Sequence, residues 1–153
     1  MSKIVYKVDE KLPTMEDIYK LSEEENVFFR FHDPERRMSG RSKSWGMIYT
    51  SEAEARKEYK DMGLDPDDAI LNGKSCMPTM AELMYWWSEF DNDFVIVVFD
   101  GVDTRETGHD GECVATYIKK RAVWNIDYVC RMLQDNGIEN LEDWEIWKEN
   151  NNL

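Results

Sequence analysis

The most apolar run of the chain extends from Phe94 to Phe99 and is followed by the turn pair Asp100-Gly101. Its residues are β-branched or aromatic, and a run of this length suits a strand but is too short for a buried helix. Because no polar residue alternates with the apolar ones, we expect both faces of this strand to be buried. The pattern therefore predicts a central strand, ended by Asp100-Gly101, around which the other elements pack.

Other stretches cluster β-branched and aromatic residues as strands do. The stretch from Cys113 to Ile118 is expected to form a hairpin with the central strand and to end at Lys119-Lys120-Arg121. Strands that interleave with helices and include a hairpin favour a single α+β domain over residues 1–153, with a mostly antiparallel sheet. The remaining predicted strands are Ile4–Val8, Val27–Phe31 and Trp45–Tyr49.

Capping residues mark the predicted helices. A capping box at Thr79 and Glu82 begins a helix that places Tyr85 opposite its apolar face and Trp86 at the edge of that face. That apolar face consists of Met80, Leu83, Met84, Trp87 and Phe90. The other predicted caps are Thr14, Ser51 and Asn125 at helix starts and Gly63 and Gly137-Ile138 at helix ends. The helix after Asn125 is expected to bury Ile126, Val129, Cys130 and Leu133, and a last helix is predicted over Leu141–Trp147.

The charge balance restricts the partners of the chain. It has 32 acidic against 19 basic residues and a net charge of −13. Because attraction to phosphate dominates general nucleic-acid and anionic-membrane binding, this balance argues against both kinds of partner. An acidic surface does attract basic proteins and raises the rate at which they associate. A plain solvated surface is the alternative explanation.

The cysteine pattern predicts neither a disulfide framework nor a zinc site. Cys76, Cys113 and Cys130 are widely spaced and odd in number, and no Cys-x-x-Cys or Cys/His cluster is present. Free thiols are typical of a reducing compartment. The start of the chain lacks the pattern of a signal peptide, and no apolar run reaches membrane-spanning length. We therefore expect a cytoplasmic protein without a metal or another cofactor.

A basic segment stands out in this acidic chain. Arg30 and His32 share strand parity, so their side chains should project from one face. Arginine binds phosphate or carboxylate through a bidentate fork, and histidine can donate a proton. The segment can therefore form an anion or nucleotide site, or it can be a solvated loop whose arginines offset neighbouring acids. Its further basic residues are Arg36, Arg37, Arg41 and Lys43.

Two other stretches carry residues that could do chemistry. The polar segment from Asp100 to Glu112 has carboxylates and His109 that could bind a divalent cation, or it simply joins two strands. Glu112 at the entrance of a strand is a candidate catalytic base. The tetrapeptide Gly73-Lys74-Ser75-Cys76 lacks the upstream glycine of a phosphate-binding loop, since Asp68 stands in its place, and we reject that interpretation.

Aromatic residues supply candidate anchors for a protein partner. Six tryptophans exceed what a small core usually needs, and tryptophan is enriched at interface hot spots. Packing in or beside the core is the alternative. The predicted partner-binding residues are Tyr85, Trp86, Trp144 and Trp147.

Two resemblances bear on function. The Gly73–Cys76 turn, the capped helix, the strand ending Val98-Phe99-Asp100-Gly101 and the segment Gly108–Glu112 come in an order similar to that of small uncharacterised proteins of phages and mobile elements. This resemblance covers about residues 70 to 125. More distantly, Arg30, Ser75 and Glu112 resemble the Arg, Ser, Glu order of ADP-ribosyltransferases, although that family's Ser-Thr-Ser and Glu-x-Glu or Gln-x-Glu segments are absent.

Two functions follow as hypotheses. The first is an acidic binding protein of phage or mobile-element type, which inhibits or redirects a larger basic protein involved in nucleic-acid handling or defence. The second is a nucleotide-binding or ADP-ribosyltransferase-like enzyme in which Arg30 anchors a phosphate, His32 orients the substrate or donates a proton, and Glu112 acts as base or charge stabiliser.

Overall fold

The apolar run Phe94–Phe99 is buried at every position and forms most of the first half of a long strand. The computed structural model describes residues 7–32, 52–61, 63, 74–90, 92–106 and 113–153. Its strands are β1 (Val27–His32), β2 (Lys74–Cys76), β3 (Val95–Glu106) and β4 (Cys113–Asn125). Its α-helices are α1 (Met15–Glu23), α2 (Glu52–Asp61), α3 (Met80–Met84), α4 (Ile126–Asp135) and α5 (Leu141–Asn150), and Trp87–Glu89 forms a 3-10 turn.

The strands form one antiparallel sheet in the order β1-β3-β4-β2. The prediction of an α+β domain with β3 inside the sheet and hairpin-paired with β4 is therefore confirmed. Of the other predicted strands, Val27–Phe31 corresponds to β1, and Trp45–Tyr49 lies outside the described residues. Lys7 and Val8, the described end of the predicted strand Ile4–Val8, are not in a strand.

The caps that the sequence predicts for α1 and α4 are present in the structure. Thr14 and Asp17 make a reciprocal capping box at the start of α1, and the Asn125 side chain accepts a hydrogen bond from the Tyr128 amide at the start of α4. At the end of α4, the Ile138 amide donates to the Leu133 carbonyl and Gly137, at φ +76°, donates to Gln134. This pair of bonds is the Schellman motif. The four predicted inward residues of α4 are all buried: Ile126, Val129, Cys130 and Leu133.

The structure corrects two predicted strand ends. Asp100-Gly101 does not end β3, which continues to Glu106, and Lys119-Lys120-Arg121 does not end β4, which continues to Asn125. Register shifts after Val98, Asp100 and Val102 indicate bulges in the hairpin. Bulges bend a strand and increase its twist. Here β3 continues through Asp100-Gly101 and β4 through Lys119-Lys120-Arg121, although a turn pair and a basic run usually indicate strand ends.

The helix predicted from Thr79 is shorter than expected. Met80, Leu83 and Met84 are buried as predicted, but α3 stops there and a 3-10 turn follows. Trp86 and Trp87, which follow the end of α3, both pack against the outer core.

The sheet closes on itself. Phe29 in β1 pairs with Met77, which directly follows β2, through two backbone hydrogen bonds of 2.8 Å. Because β2 pairs with β4, β4 with β3 and β3 with β1, the strands form a closed circuit. Such a circuit has an inner and an outer face. Residues of α1, α3, α4 and α5 join the core on the face that carries Phe29, which is therefore the outer face.

The inner face holds a second, smaller core. It comprises Phe28, Cys76, Val95, Val97, Phe99, Cys113, Ala115 and Val123. Gly101 lies beside it, and a Cβ added there would stand 3.0 Å from both the Phe28 ring and the Ala115 Cβ. Glycine at this bend therefore lets the hairpin pass close to β1. Within the described residues, no helix has the length and apolar composition needed to cross a membrane.

Candidate functional site

An exposed aromatic pair lies at the end of α3. Tyr85 is 72% exposed, and its ring meets the Trp86 ring edge-on at a centroid distance of 5.1 Å and an angle of 82°. Trp86 is half-buried and packs against the outer core. The next tryptophan, Trp87, donates a hydrogen bond from its indole to Asn92 at 3.3 Å. The Tyr85 ring thus projects into solvent, whereas the Trp86 ring that it contacts is held in place by the core.

The last helix presents acidic side chains to solvent. Glu142, Glu145 and Glu149 are exposed on α5, and Ile146 between them is 50% exposed. Lys148 donates to Glu23 at 3.0 Å and to Glu145 at 3.2 Å, so the positive charge of this helix is already paired. Since α5 packs against α3, the acidic helix and the Tyr85–Trp86 pair lie on the same side of the sheet. That side of the sheet therefore carries both the exposed Tyr85 ring and the exposed acidic side chains of α5.

The structure corrects the prediction that Trp144 contacts a partner. Trp144 is 1% exposed and belongs to the outer core, where its ring stacks on Trp147 at 5.1 Å and lies 6.4 Å from the Tyr19 ring. Trp147 is half-buried. Residues 141, 144 and 147 follow helical spacing, so the ring at 144 faces the sheet. Trp144 therefore stabilises the fold and is not available at the surface.

Arg30 and His32 occupy one face of β1, as their parity predicts, but that face is the inner one. Their exposed fractions are 3% and 0%. In the sheet, Arg30 stands opposite Val97 and His32 opposite Val95, both members of the inner core. A nucleotide phosphate at the protein surface would therefore not reach the Arg30 guanidinium. The remaining residues of the predicted anion and catalytic sites lie outside the described residues: Arg36, Arg37, Arg41, Lys43 and Glu112.

A groove of about 380 Å³ lies where α1 meets the end of β4. Arg121, one of three cations among its described lining residues, donates to Glu24 at 2.9 Å and to Asp100 at 3.0 Å, and these bonds raise the pKa of the guanidinium. The Arg121 side chain thus joins α1 to the sheet, and its hydrogen bonds are committed to two carboxylates. The other charged lining residues are Asp9, Lys11, Asp17 and Lys20. The apolar lining residues are Leu12, Pro13, Leu21, Ala122 and Trp124. This arrangement does not resemble an anion site.

Glu82 in α3 is a carboxyl group whose solvation is reduced by burial. It lies one turn before Tyr85, and its amide donates to the Thr79 side chain at 3.1 Å. Its Oε2 atom is buried and has no hydrogen-bond partner among the described residues. Burial raises the pKa of this carboxyl. A raised pKa alone does not make a catalytic acid, and the part of the chain that the structure describes places no other titratable side chain against Glu82.

A metal centre is not apparent among the described residues, where no three His, Cys, Asp or Glu side chains come together to hold an ion. Comparison with known proteins found no matching family model, curated protein or solved structure. The chemistry of the surface itself is therefore the basis for assigning a function.

Sequence reasoning predicted Tyr85 and Trp86 as partner-binding residues but did not single out Ile146 or the acidic face of α5. The signal for that face was present. Glu142, Glu145 and Glu149 follow helical spacing, and Ile146 lies within the same turn of the helix. The net charge of −13 does not reveal this acidic face, because a total does not say where the charges lie.

Proposed function

We propose that this chain is a non-enzymatic binding protein that docks on a basic surface of a larger protein. Tyr85 is the anchor, Trp86 supports it, and the acidic side of α5 steers the approach. The observation that carries the proposal is the 72% exposure of Tyr85 on a half-buried tryptophan. A large aromatic ring in this setting is costly to solvate and is available for a partner's pocket.

Aromatic anchors suit this role for a physical reason. Tyrosine has few rotatable bonds, so it buries a large area with little loss of side-chain entropy. Its contact with Trp86 restricts it further before binding. Such residues account for most of the energy of many interfaces, whereas charges at the rim mainly set the association rate. We expect Tyr85 to control dissociation and α5 to control association.

The class of partner follows from charge. A chain of net charge −13 is repelled by nucleic acid and by anionic membranes and attracted by basic proteins. Proteins that handle nucleic acid carry such basic surfaces. We therefore propose a partner of that class, whose activity the bound chain inhibits or redirects. An anti-defence role is part of this proposal because defence complexes also present basic surfaces, and the absence of a disulfide-framework pattern among the cysteines supports a cytoplasmic location.

The nucleotide-binding alternative has one supporting observation, the shared face of Arg30 and His32. The burial of both side chains opposes it, because an anion would have to enter the inner core. A thermal-shift experiment with a nucleotide panel separates the two functions, since a ligand of the folded state raises the melting temperature. We expect no shift at millimolar nucleotide, and a reproducible shift would favour the alternative.

Affinity capture tests the proposal. The tagged chain is incubated with extract of the source cells or their host at about 50 mM and about 500 mM salt, which differ strongly in electrostatic screening. Mass spectrometry then identifies retained proteins. We expect one stoichiometric basic protein at low salt, depleted at high salt and by Tyr85→Ala.

Tyr128→Ala is the matched control, because Tyr128 is the exposed tyrosine of α4. The variant should capture the partner as the unchanged chain does. Circular dichroism confirms that both variants fold. Absence of a stoichiometric partner at low salt, or equal capture by the Tyr85→Ala variant, would contradict the proposal.

A further inference from the structure

The inner core contains two cysteines that face each other across neighbouring strands. Cys76 of β2 is the register partner of Cys113 of β4, and their Sγ atoms are 3.7 Å apart. The Cys113 thiol lies 3.5 Å from the Cys76 carbonyl oxygen, to which it can donate. Both residues are buried. The sheet therefore brings together two thiols that are far apart in the sequence.

The backbone geometry of this pair suits a disulfide. Opposed residues of antiparallel strands have Cα atoms about 4.5–5.5 Å apart. Disulfides span Cα distances of about 4.4–6.8 Å, with a sulfur–sulfur bond of about 2.05 Å. Rotation of the two side chains would therefore bring the sulfurs into bonding range without moving the strands. The same reasoning does not extend to Cys130, which lies in α4 and belongs to the outer core.

We infer that Cys76 and Cys113 form an oxidisable dithiol site that takes hydrogen peroxide or a low-molecular-weight disulfide as oxidant. The two thiols lose two protons and two electrons, and one S–S bond forms between their Sγ atoms. Hydrogen peroxide is reduced to two water molecules, whereas a disulfide oxidant is reduced to two thiols. A thiol reductant reverses the reaction.

The position of the bond gives it a structural consequence. Cys76 is the last residue of β2 and precedes Met77, whose pairing with Phe29 closes the sheet. A three-residue strand opens more easily than a long one, because few hydrogen bonds hold it. Oxidation would attach β2 covalently to β4 and hold the circuit shut. We expect oxidised protein to have a higher melting temperature, and dithiothreitol to reverse the increase.

Burial sets the rate of the reaction and protects the third thiol. Oxidant reaches Cys76 and Cys113 only when β2 opens, so we expect slow oxidation that accelerates under mild denaturation. Cys130 is fully buried, and burial together with nearby Asp127 raises the pKa of its thiol. Since the thiolate is the reactive form, Cys130 should remain reduced in the folded chain.

The test oxidises the full folded chain with hydrogen peroxide, then unfolds it in N-ethylmaleimide and measures its mass. The reduced chain, which has three cysteines, should take three adducts, and the oxidised chain should take one. Trypsin should release residues 75–105 linked to residues 106–119. The Cys130→Ser variant should keep this link, whereas the Cys113→Ser variant should lose it.

An unfolded sample oxidised in urea serves as the control for geometry. There, links to residues 122–131, which contain Cys130, should also appear. Three adducts after prolonged oxidation of the folded chain would overturn the inference. So would a link that involves Cys130, or a link found only between two chains. These outcomes are read on the unchanged sequence and do not depend on whether a variant folds.

Discussion

Phe29 and Met77 exchange both of their backbone hydrogen bonds, each 2.8 Å long, and by doing so close the sheet. This pairing gives β1 neighbours on both edges, with β3 on one side and Met77 on the other. It also explains why one face of β1 is apolar against helices while the other buries Arg30 and His32. The closure thus separates the inner core from the surface that carries Tyr85.

The close approach of Gly101 to β1 gives the first prediction. An alanine Cβ at this position would meet the Phe28 ring and the Ala115 Cβ, so Gly101→Ala should overpack the inner core. We expect the free energy of unfolding to fall by about 1–3 kcal/mol in urea denaturation. A loss of only a few tenths of a kcal/mol would contradict the close packing of Gly101 against Phe28 and Ala115.

Gly137→Ala is the control for that substitution. Gly137 has a positive φ of 76°, but a Cβ there would have no atom within 4 Å. Its cost should therefore come from backbone strain alone, about 1 kcal/mol. Gly137→Asn should cost less, because asparagine tolerates the left-handed region, whereas Gly101→Asn should cost more than Gly101→Ala.

Trp144 is buried in the core whereas Tyr85 is exposed, and this difference gives the second prediction. Trp144→Ala should lower the free energy of unfolding by about 3–5 kcal/mol, because it empties a buried site beside Trp147. Tyr85→Ala should change it by less than about 0.5 kcal/mol, as exposed substitutions usually do. Comparable losses in chemical denaturation would show that Tyr85 is part of the fold and not an available anchor.

Glu82 gives a prediction of pH dependence. Because burial raises its pKa in the folded state, the folded chain binds the proton more tightly than the unfolded chain. Stability from this group is therefore present below the unfolded pKa and is lost as pH rises through the folded pKa. Glu82→Gln should raise the melting temperature at pH 7 and leave it nearly unchanged at about pH 3.5. A lower melting temperature at pH 7 would mean that the charged carboxylate is stabilised.

The caps of α1 and α4 and the buried face of α4 were predictable because their signals are local. Thr14, Asn125 and Gly137 act through hydrogen bonds to residues a few positions away, and the structure forms those bonds. The central strand was predictable for a similar reason, since an unbroken apolar run by itself indicates burial on both faces. The hairpin followed from a second stretch of β-branched and aromatic residues, Cys113–Ile118, after the central strand.

The closure and the inner core were not predictable from the sequence. The pairing of Phe29 with Met77 joins distant segments through backbone groups, which every residue type possesses. Arg30 looked like a surface residue because charge usually indicates exposure, yet the closed circuit encloses it. Trp144 was misassigned because a count of tryptophans does not say which of them face the sheet. The helical spacing of residues 141, 144 and 147 carried that information.

The rates of binding to the captured partner test the central claim most directly. Surface plasmon resonance should show that Tyr85→Ala raises the dissociation rate about 30-fold or more, as expected for a hot spot, while Tyr128→Ala does not. A Glu142→Gln, Glu149→Gln double variant should slow association several-fold at low salt. A Glu10→Gln, Glu25→Gln variant removes the same charge from exposed sites outside α5 and should slow it less. An unchanged dissociation rate for Tyr85→Ala would contradict the account.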